Sequence, residues 1–224
     1  MFKNLLDFWK GKNFLTVVLE EFDNMISLSQ KMYTTTIKVL VKGDTLDTNL
    51  KDNIYDNDRK INELERDIRK KIVEHLVLQP SVDITVCLVL MSVVKDAERL
   101  GDYCKNLYEI IELHHGPLGK KNYETYLKGL EDKIMEIFTK TRKAFKESDE
   151  ATSQSIIVTN KDILSTLTEA LNKIAASDLT AREAVSLAAT TRYFRRITSH
   201  LGNIASSVVM PVTDLDYFDE KRME

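Results

Sequence analysis

Asp96-Ala97-Glu98-Arg99-Leu100-Gly101-Asp102 is the stretch that decides the fold, because an altered copy of it, Arg195-Arg196-Ile197-Thr198-Ser199, lies 97 positions further on. Both copies place Arg-aliphatic after the first position and Asn-aliphatic later, as Asn106-Leu107 and Asn203-Ile204. Glu98 and Asp102 are four apart, which on a helix puts both carboxylates on one face, one turn apart. The second copy has Arg195 and Ser199 in those places. A helical unit is therefore duplicated, with its acidic pair kept in one half and lost in the other.

The spacing of apolar residues extends this unit in both directions. Leu15, Val18, Leu19, Phe22, Met25 and Ile26 recur at helical intervals and predict a helix from Phe14 to about Lys42, stopped at Gly43-Asp44-Thr45. Leu50, Ile54, Ile61, Leu64, Ile68, Ile72 and Leu76 predict a second, from about Leu46 to Val77, broken at Pro80. A third runs from a cap at Ser81 or Asp83 to His114. Its start, from Val82 through Val94, is so apolar that it is expected in the core. The second half repeats the plan, with helices over 123–145, 150–175 and 179–209, the last capped at Ser177-Asp178. That helix is rich in Ala and Ser, which permits close helix approach.

The expected fold is all-α: two tandem three-helix repeats packed into one helical bundle. Its parts are a short amphipathic segment over 1–13, a first repeat over 14–116, a second over 117–210 and a polar tail over 211–224. Only 7 Gly and 3 Pro in 224 residues leave few breakers, which suits long helices. In the N-terminal segment Phe2, Leu5, Leu6 and Trp9 fall at i, i+3, i+4 and i+7, a small apolar face for the bundle, a second subunit or a membrane surface.

Composition excludes several functions. The net charge of −3 lacks the basic excess of a general nucleic-acid binder. Cys87 and Cys104 lie in apolar helical pattern outside any CxxC or Cys/His spacing, which reads as buried thiols in a reducing compartment. No apolar run is long enough to span a membrane and no secretory leader is apparent, so a cytoplasmic protein is expected. There is no Gly-rich phosphate loop and no recognisable nucleophile constellation. Glu112-Leu113-His114-His115 contains one Glu-x-x-His, whereas a di-iron carboxylate bundle needs two. The two histidines instead suit a helix C-terminus. Nothing makes a positive case for an enzyme.

Asp58-Arg-Lys-Ile61-Asn62-Glu-Leu64-Glu65, then Gln79-Pro80, then Asp96 through Asn106 resemble the first repeat of the PhoU-type regulators of phosphate uptake. Residues 195–205 resemble the second, where the family's "ERIGDHxxNI" is altered. The resemblance implies a cytoplasmic, non-enzymatic regulator, acting as a homodimer on phosphate transporter components and a sensor histidine kinase. It touches the membrane only through the transporter and does not bind nucleic acid. It also implies a metal site, for iron, Mn, Mg or Zn, on the acidic face of the first repeat alone. Glu98 and Asp102 match the family pattern there, and Asp58, Asn62 and Glu65 on the preceding helix are candidate further ligands. A guanidinium cannot ligate a cation, so the second repeat is not expected to hold one. Arg195 could instead replace the cation, with Asp162 and Glu169 as its partners, or the cluster of Arg192, Arg195 and Arg196 could meet an acidic partner. Two alternatives remain: a metal-storage or di-iron enzyme bundle, and a scaffold for an unrelated partner.

Asp96, about 200° around the helix from Glu98, is expected to make an inter-helix contact or a cap. Gly101 sits mid-helix, where it costs ~1 kcal/mol against Ala, so a neighbouring backbone is expected to approach it. Thr198 takes the corresponding place in the second copy.

Overall fold

A computed structural model describes residues 13–45, 48–79 and 83–215. Among them the secondary structure is α-helical apart from one 3-10 turn. The helices are α1 (Asn13–Leu40), α2 (Leu50–Leu78), α3 (Ile84–His114), α4 (Lys120–Tyr126), α5 (Leu130–Glu147), α6 (Glu150–Ala175) and α7 (Ala181–Val209). None of them is long and apolar enough to cross a membrane. The amphipathic positions Phe2, Leu5, Leu6 and Trp9, with Pro80 and Ser81, lie outside the described residues.

Helices α1, α2 and α3 pack against one another, and so do α5, α6 and α7. The two triplets meet along α3–α7 and α1–α5. This is the expected pair of three-helix units in one bundle. Their shared core contains Tyr33, Phe22, Phe138 and Phe194, all essentially without exposure. Tyr33 of α1 lies between Phe138 of α5 and Phe194 of α7, with ring centroids 5.4 and 6.1 Å away. The small side chains of α7 serve the close approach anticipated for them: Ser186, Gly202, Ala205, Ser206 and Ser207 are all buried.

Several boundaries depart from expectation. The fourth segment is not one helix from 123 to 145. It breaks at Gly129, which adopts φ +75°, a left-handed conformation that costs glycine little. The short α4 precedes the break, and its Tyr123 hydroxyl donates to the buried Glu131 carboxylate at 2.6 Å. α2 begins at Leu50 rather than near Leu46. α7 starts after Thr180 in a capping box with Glu183, not at Ser177-Asp178. Val212–Asp214 forms a 3-10 turn and Leu215 is buried, so the start of the expected tail belongs to the folded body.

The apolar start of α3 is only partly core. Val86, Cys87, Val89 and Leu90 are buried, but Ile84 and Leu88 are about half exposed. Helical phase explains this: a helix packed on its neighbours still turns one stripe to solvent every 3.6 residues. Gly101 meets a side chain rather than a backbone, because a Cβ there would sit 2.8 Å from Ile61 Cδ1 of α2. At the matching place in α7, Thr198 is fully buried and its carbonyl accepts from Asn160 Nδ2 at 2.9 Å.

The cap assignment can be tested directly. Thr180→Ala should lower unfolding stability by ~1 kcal/mol in urea titration. Asp178→Ala, at an exposed position before the cap, should change it by less than ~0.5 kcal/mol.

Candidate functional site

The acidic face of the first repeat is built from the facing sides of α2 and α3. Periodicity brings Asp58 and Glu65 to one side of α2, two turns apart, while Glu98 and Asp102 lie one turn apart on α3. Each is partly or wholly withdrawn from solvent: side-chain exposure is 10% for Asp58, 14% for Glu65, 16% for Glu98 and 26% for Asp102. Asn62 lies partly buried between Asp58 and Glu65 on α2, and its backbone carbonyl accepts from Arg66 Nε at 3.3 Å. The sequence-predicted residues are thus assembled on one helix–helix seam.

The charges that accompany them come from the same two helices. Lys105 Nζ donates to Asp58 Oδ2 at 2.7 Å and to Asp102 Oδ1 at 3.4 Å, bridging α2 to α3. Arg99 reaches Asp102 Oδ2 at 3.0 Å and Glu98 Oε2 at 3.5 Å. Arg69 pairs with Glu65 at 2.9 Å. Lys105 was not among the candidates read from the sequence. Its signal was its i+3 spacing from Asp102, which permits a same-helix ion pair.

Glu98 keeps the weakest compensation. Burial, then the charge of Asp102, pushes its carboxyl up to about 7, against which Arg99 acts only in part. Glu65 and Asp58 add to the rise.

This donor set does not fit a resident metal as it stands. Asp58 and Asp102 share an ammonium, Asp102 and Glu98 share a guanidinium, and a cation entering the seam would have to displace both. Among the described residues no group of three or more His, Cys, Asp or Glu side chains is placed to hold a metal ion. Glu112, from the single Glu-x-x-His, is held by Lys51 at 2.8 Å. His115 terminates α3 at φ +63°, and its backbone N–H donates to Glu112 O. His114 turns across the repeat boundary to Ser186 Oγ at 3.2 Å, and burial lowers its pKa.

The corresponding place in the second repeat is built without carboxylates. Arg195 is exposed, and its guanidinium donates to Thr168 Oγ1 at 2.7 Å and Leu164 O at 3.4 Å. Asp162 and Glu169 are not its partners in these contacts; Glu169 lies 3.9 Å from Lys173 on its own helix. The suggestion that Arg195 neutralises facing acids is therefore replaced by a polar tether between α6 and α7.

Asp96 makes the inter-helix contact expected of it. Its Oδ1 lies 2.7 Å from His200 Nδ1 and accepts from Asn203 Nδ2 at 2.8 Å. The His200 ring stacks on Tyr103 at 5.5 Å. Asn203 is the Asn of the repeated motif, so one copy's acid and the other copy's amide meet across the centre of the bundle. Both thiols are buried; burial raises Cys87 to about 11 and Cys104 further still. They are poor nucleophiles.

These features define a class: a duplicated helical bundle with an ion-paired acidic seam in one repeat and no metal-holding cluster among the described residues. Residues 22–111, less than half of the chain, match the family model described as the PhoU domain. It is 29% identical over 115 residues to the phosphate-specific transport system accessory protein PhoU homolog 1 of Thermotoga maritima. That alignment covers 51% of this chain and 46% of the relative, so it spans less than half of the relative's length. The fold likeness reaches further. The crystal structure of PhoU from Pseudomonas aeruginosa superposes with a TM-score of 0.77 at 21% identity, over 88% of this chain and 95% of that one. The phosphate transport system regulatory protein PhoU from Streptococcus pneumoniae gives 0.70 at 16% identity, over 93% and 97%. The matched family segment contains the whole acidic seam.

The raised carboxyl of Glu98 makes a prediction with a definite sign. Between about pH 4.5 and about 7 the folded protein holds a proton at Glu98 that the unfolded chain has released. Stability from this group therefore falls as pH rises through that window, and stays reduced above it. Glu98→Gln should stabilise the protein at pH 8 by up to ~3 kcal/mol and leave it unchanged at pH 4. Urea titrations at the two pH values check this.

Proposed function

We propose that this protein is a non-enzymatic regulator of phosphate uptake that works by docking to components of a phosphate transporter. The observation that carries the reading is the PhoU domain over residues 22–111. The printed names of the relatives, an accessory protein and a regulatory protein of phosphate transport systems, agree with it. In this reading a sensor histidine kinase is a second client, the protein works in the cytoplasm as a homodimer, and it meets the membrane only through the transporter.

The docking face we assign is the end of the α2–α3 hairpin. Val73 and Val77, one turn apart on α2, and Ile84 and Leu88, one turn apart on α3, are exposed apolar residues. Val77 and Leu78 are 73% and 80% exposed. Exposed apolar side chains on both helices offer contacts to a partner's helix or loop. The seam contributes rigidity: Lys105 ties α2 to α3, and near the hairpin end His75 Nε2 lies 2.9 Å from Asp83 Oδ2. The mechanism is built on the chain's own residues, with Lys105 and Arg99 paired to carboxylates of the seam.

Tagged protein recovered from phosphate-starved cells should carry transporter components with it. Val77→Asp with Leu78→Asp should reduce that recovery at least ~10-fold, the effect of losing ~1.4 kcal/mol of binding, without changing helicity. Undiminished recovery would move the interface elsewhere. Wild-type protein that brings down no transporter component would remove the functional reading itself.

A further inference from the structure

Arg192, Arg195 and Arg196 are all exposed, and helical phase gathers them with Ser199 into one stripe of α7. The duplication shows what this stripe has lost. Arg196 stands 97 positions after Arg99, and Arg99 reaches Asp102 at 3.0 Å and Glu98 at 3.5 Å. In the second copy Arg195 and Ser199 take the places of those two acids, so Arg196 loses both partners and gains a neighbouring cation. Among the described residues no carboxylate pairs with any of the three guanidinium groups. Arg195 donates from Nη1 to Thr168 Oγ1 at 2.7 Å and to Leu164 O at 3.4 Å. We propose that this stripe is a docking surface for an acidic helix of a partner protein.

Charge, spacing and length specify the occupant. The two bonds from Nη1 hold the Arg195 guanidinium in place and leave its Nε–Nη2 edge, the edge that grips a carboxylate through two parallel hydrogen bonds. Like charges one turn apart, as in Arg192 and Arg196, oppose a helix, and carboxylates brought from outside reverse that sign. Arg192 to Ser199 spans about 10 Å along α7, too far for one inorganic anion to touch both ends. The four positions fall at i, i+3, i+4 and i+7, the period at which a second helix lying along α7 presents its own Asp or Glu side chains. Val185, two turns before Arg192 and 54% exposed, continues the stripe with an apolar contact. That suits an amphipathic acidic helix. The inference stands apart from the transporter reading, because the stripe belongs to the second repeat and the assigned hairpin face to the first.

A fluorescent Ala-rich peptide of about four helical turns, with Glu at i, i+3, i+4 and i+7, tests this when titrated by anisotropy against the full chain. It should bind in low salt and lose affinity as salt is raised. Arg192→Glu with Arg196→Glu should weaken binding at least ~10-fold. The same variant should instead bind a peptide with Lys in place of each Glu, which the unaltered protein does not. Arg192→Gln alone should weaken binding to a smaller degree, and far-ultraviolet circular dichroism should show the helices of both variants intact. A peptide of the same composition with its Glu residues spread around the helix should bind several-fold more weakly. Val77→Asp with Leu78→Asp should leave binding unchanged, which separates this surface from the hairpin. No binding by the unaltered protein would overturn the proposal, as would equal binding of the aligned and scattered peptides or undiminished binding by the Arg192→Glu, Arg196→Glu variant. Inorganic phosphate that displaces the peptide more than chloride of equal ionic strength would assign the arginines to a small anion. Transfer of the protein from the peptide to phosphatidylserine vesicles would assign them to a membrane surface. Either result overturns the acidic helix.

Discussion

A carboxyl group buried in one repeat must be satisfied by the repeat it does not belong to. Asp96 is 5% exposed, and His200 and Asn203 of α7 supply its polar contacts at the centre of the bundle. Leaving such a group without partners costs roughly 1–3 kcal/mol, so α3 and α7 are held in one register rather than any that buries apolar surface. The remaining architecture follows from that register. α7 presents its Ala, Ser and Gly face to α3, Phe194 reaches the central Tyr33, and the α1–α5 contact closes the opposite side.

The two repeats have the same scaffold and different electrostatics. In the first, four acids on the α2–α3 seam face three bases, Lys105, Arg99 and Arg69, from the same two helices. In the second, the corresponding α6–α7 seam is joined by Arg195, which donates to a hydroxyl and a carbonyl. The seam that carries charge lies wholly within the matched PhoU segment, and it braces the hairpin whose exposed end we assign to partner docking.

Much of this was legible in the sequence because long amphipathic helices write their period plainly. The duplicated Arg-aliphatic…Asn-aliphatic motif located α3 and α7, and the spacing of Asp58, Glu65, Glu98 and Asp102 placed them on facing helices. What stayed hidden depended on three-dimensional partners. Lys105 had no distinguishing mark beyond its spacing, yet it takes the place between carboxylates where a metal was expected. Arg195 and the distant acids could be matched by charge but not by direction, and it found Thr168 instead. The break at Gly129 was missed because a single glycine inside an amphipathic run can be either a packing site, as at Gly101, or a left-handed turn. His200 was likewise unmarked in the sequence, and only the fold brings it to Asp96.

The most direct test is a double-mutant cycle on Asp96 and Asn203, read as urea unfolding of the full chain. Asp96→Ala and Asn203→Ala remove the two ends of one contact. If that contact fixes the register of the repeats, the double variant should be more stable than the sum of the single losses predicts, with a coupling of at least ~1 kcal/mol. The single variants should also separate the unfolding of the two halves, seen as a lowered urea slope. Additive losses within ~0.5 kcal/mol, with one unchanged cooperative transition, would contradict the central role given to this buried carboxyl.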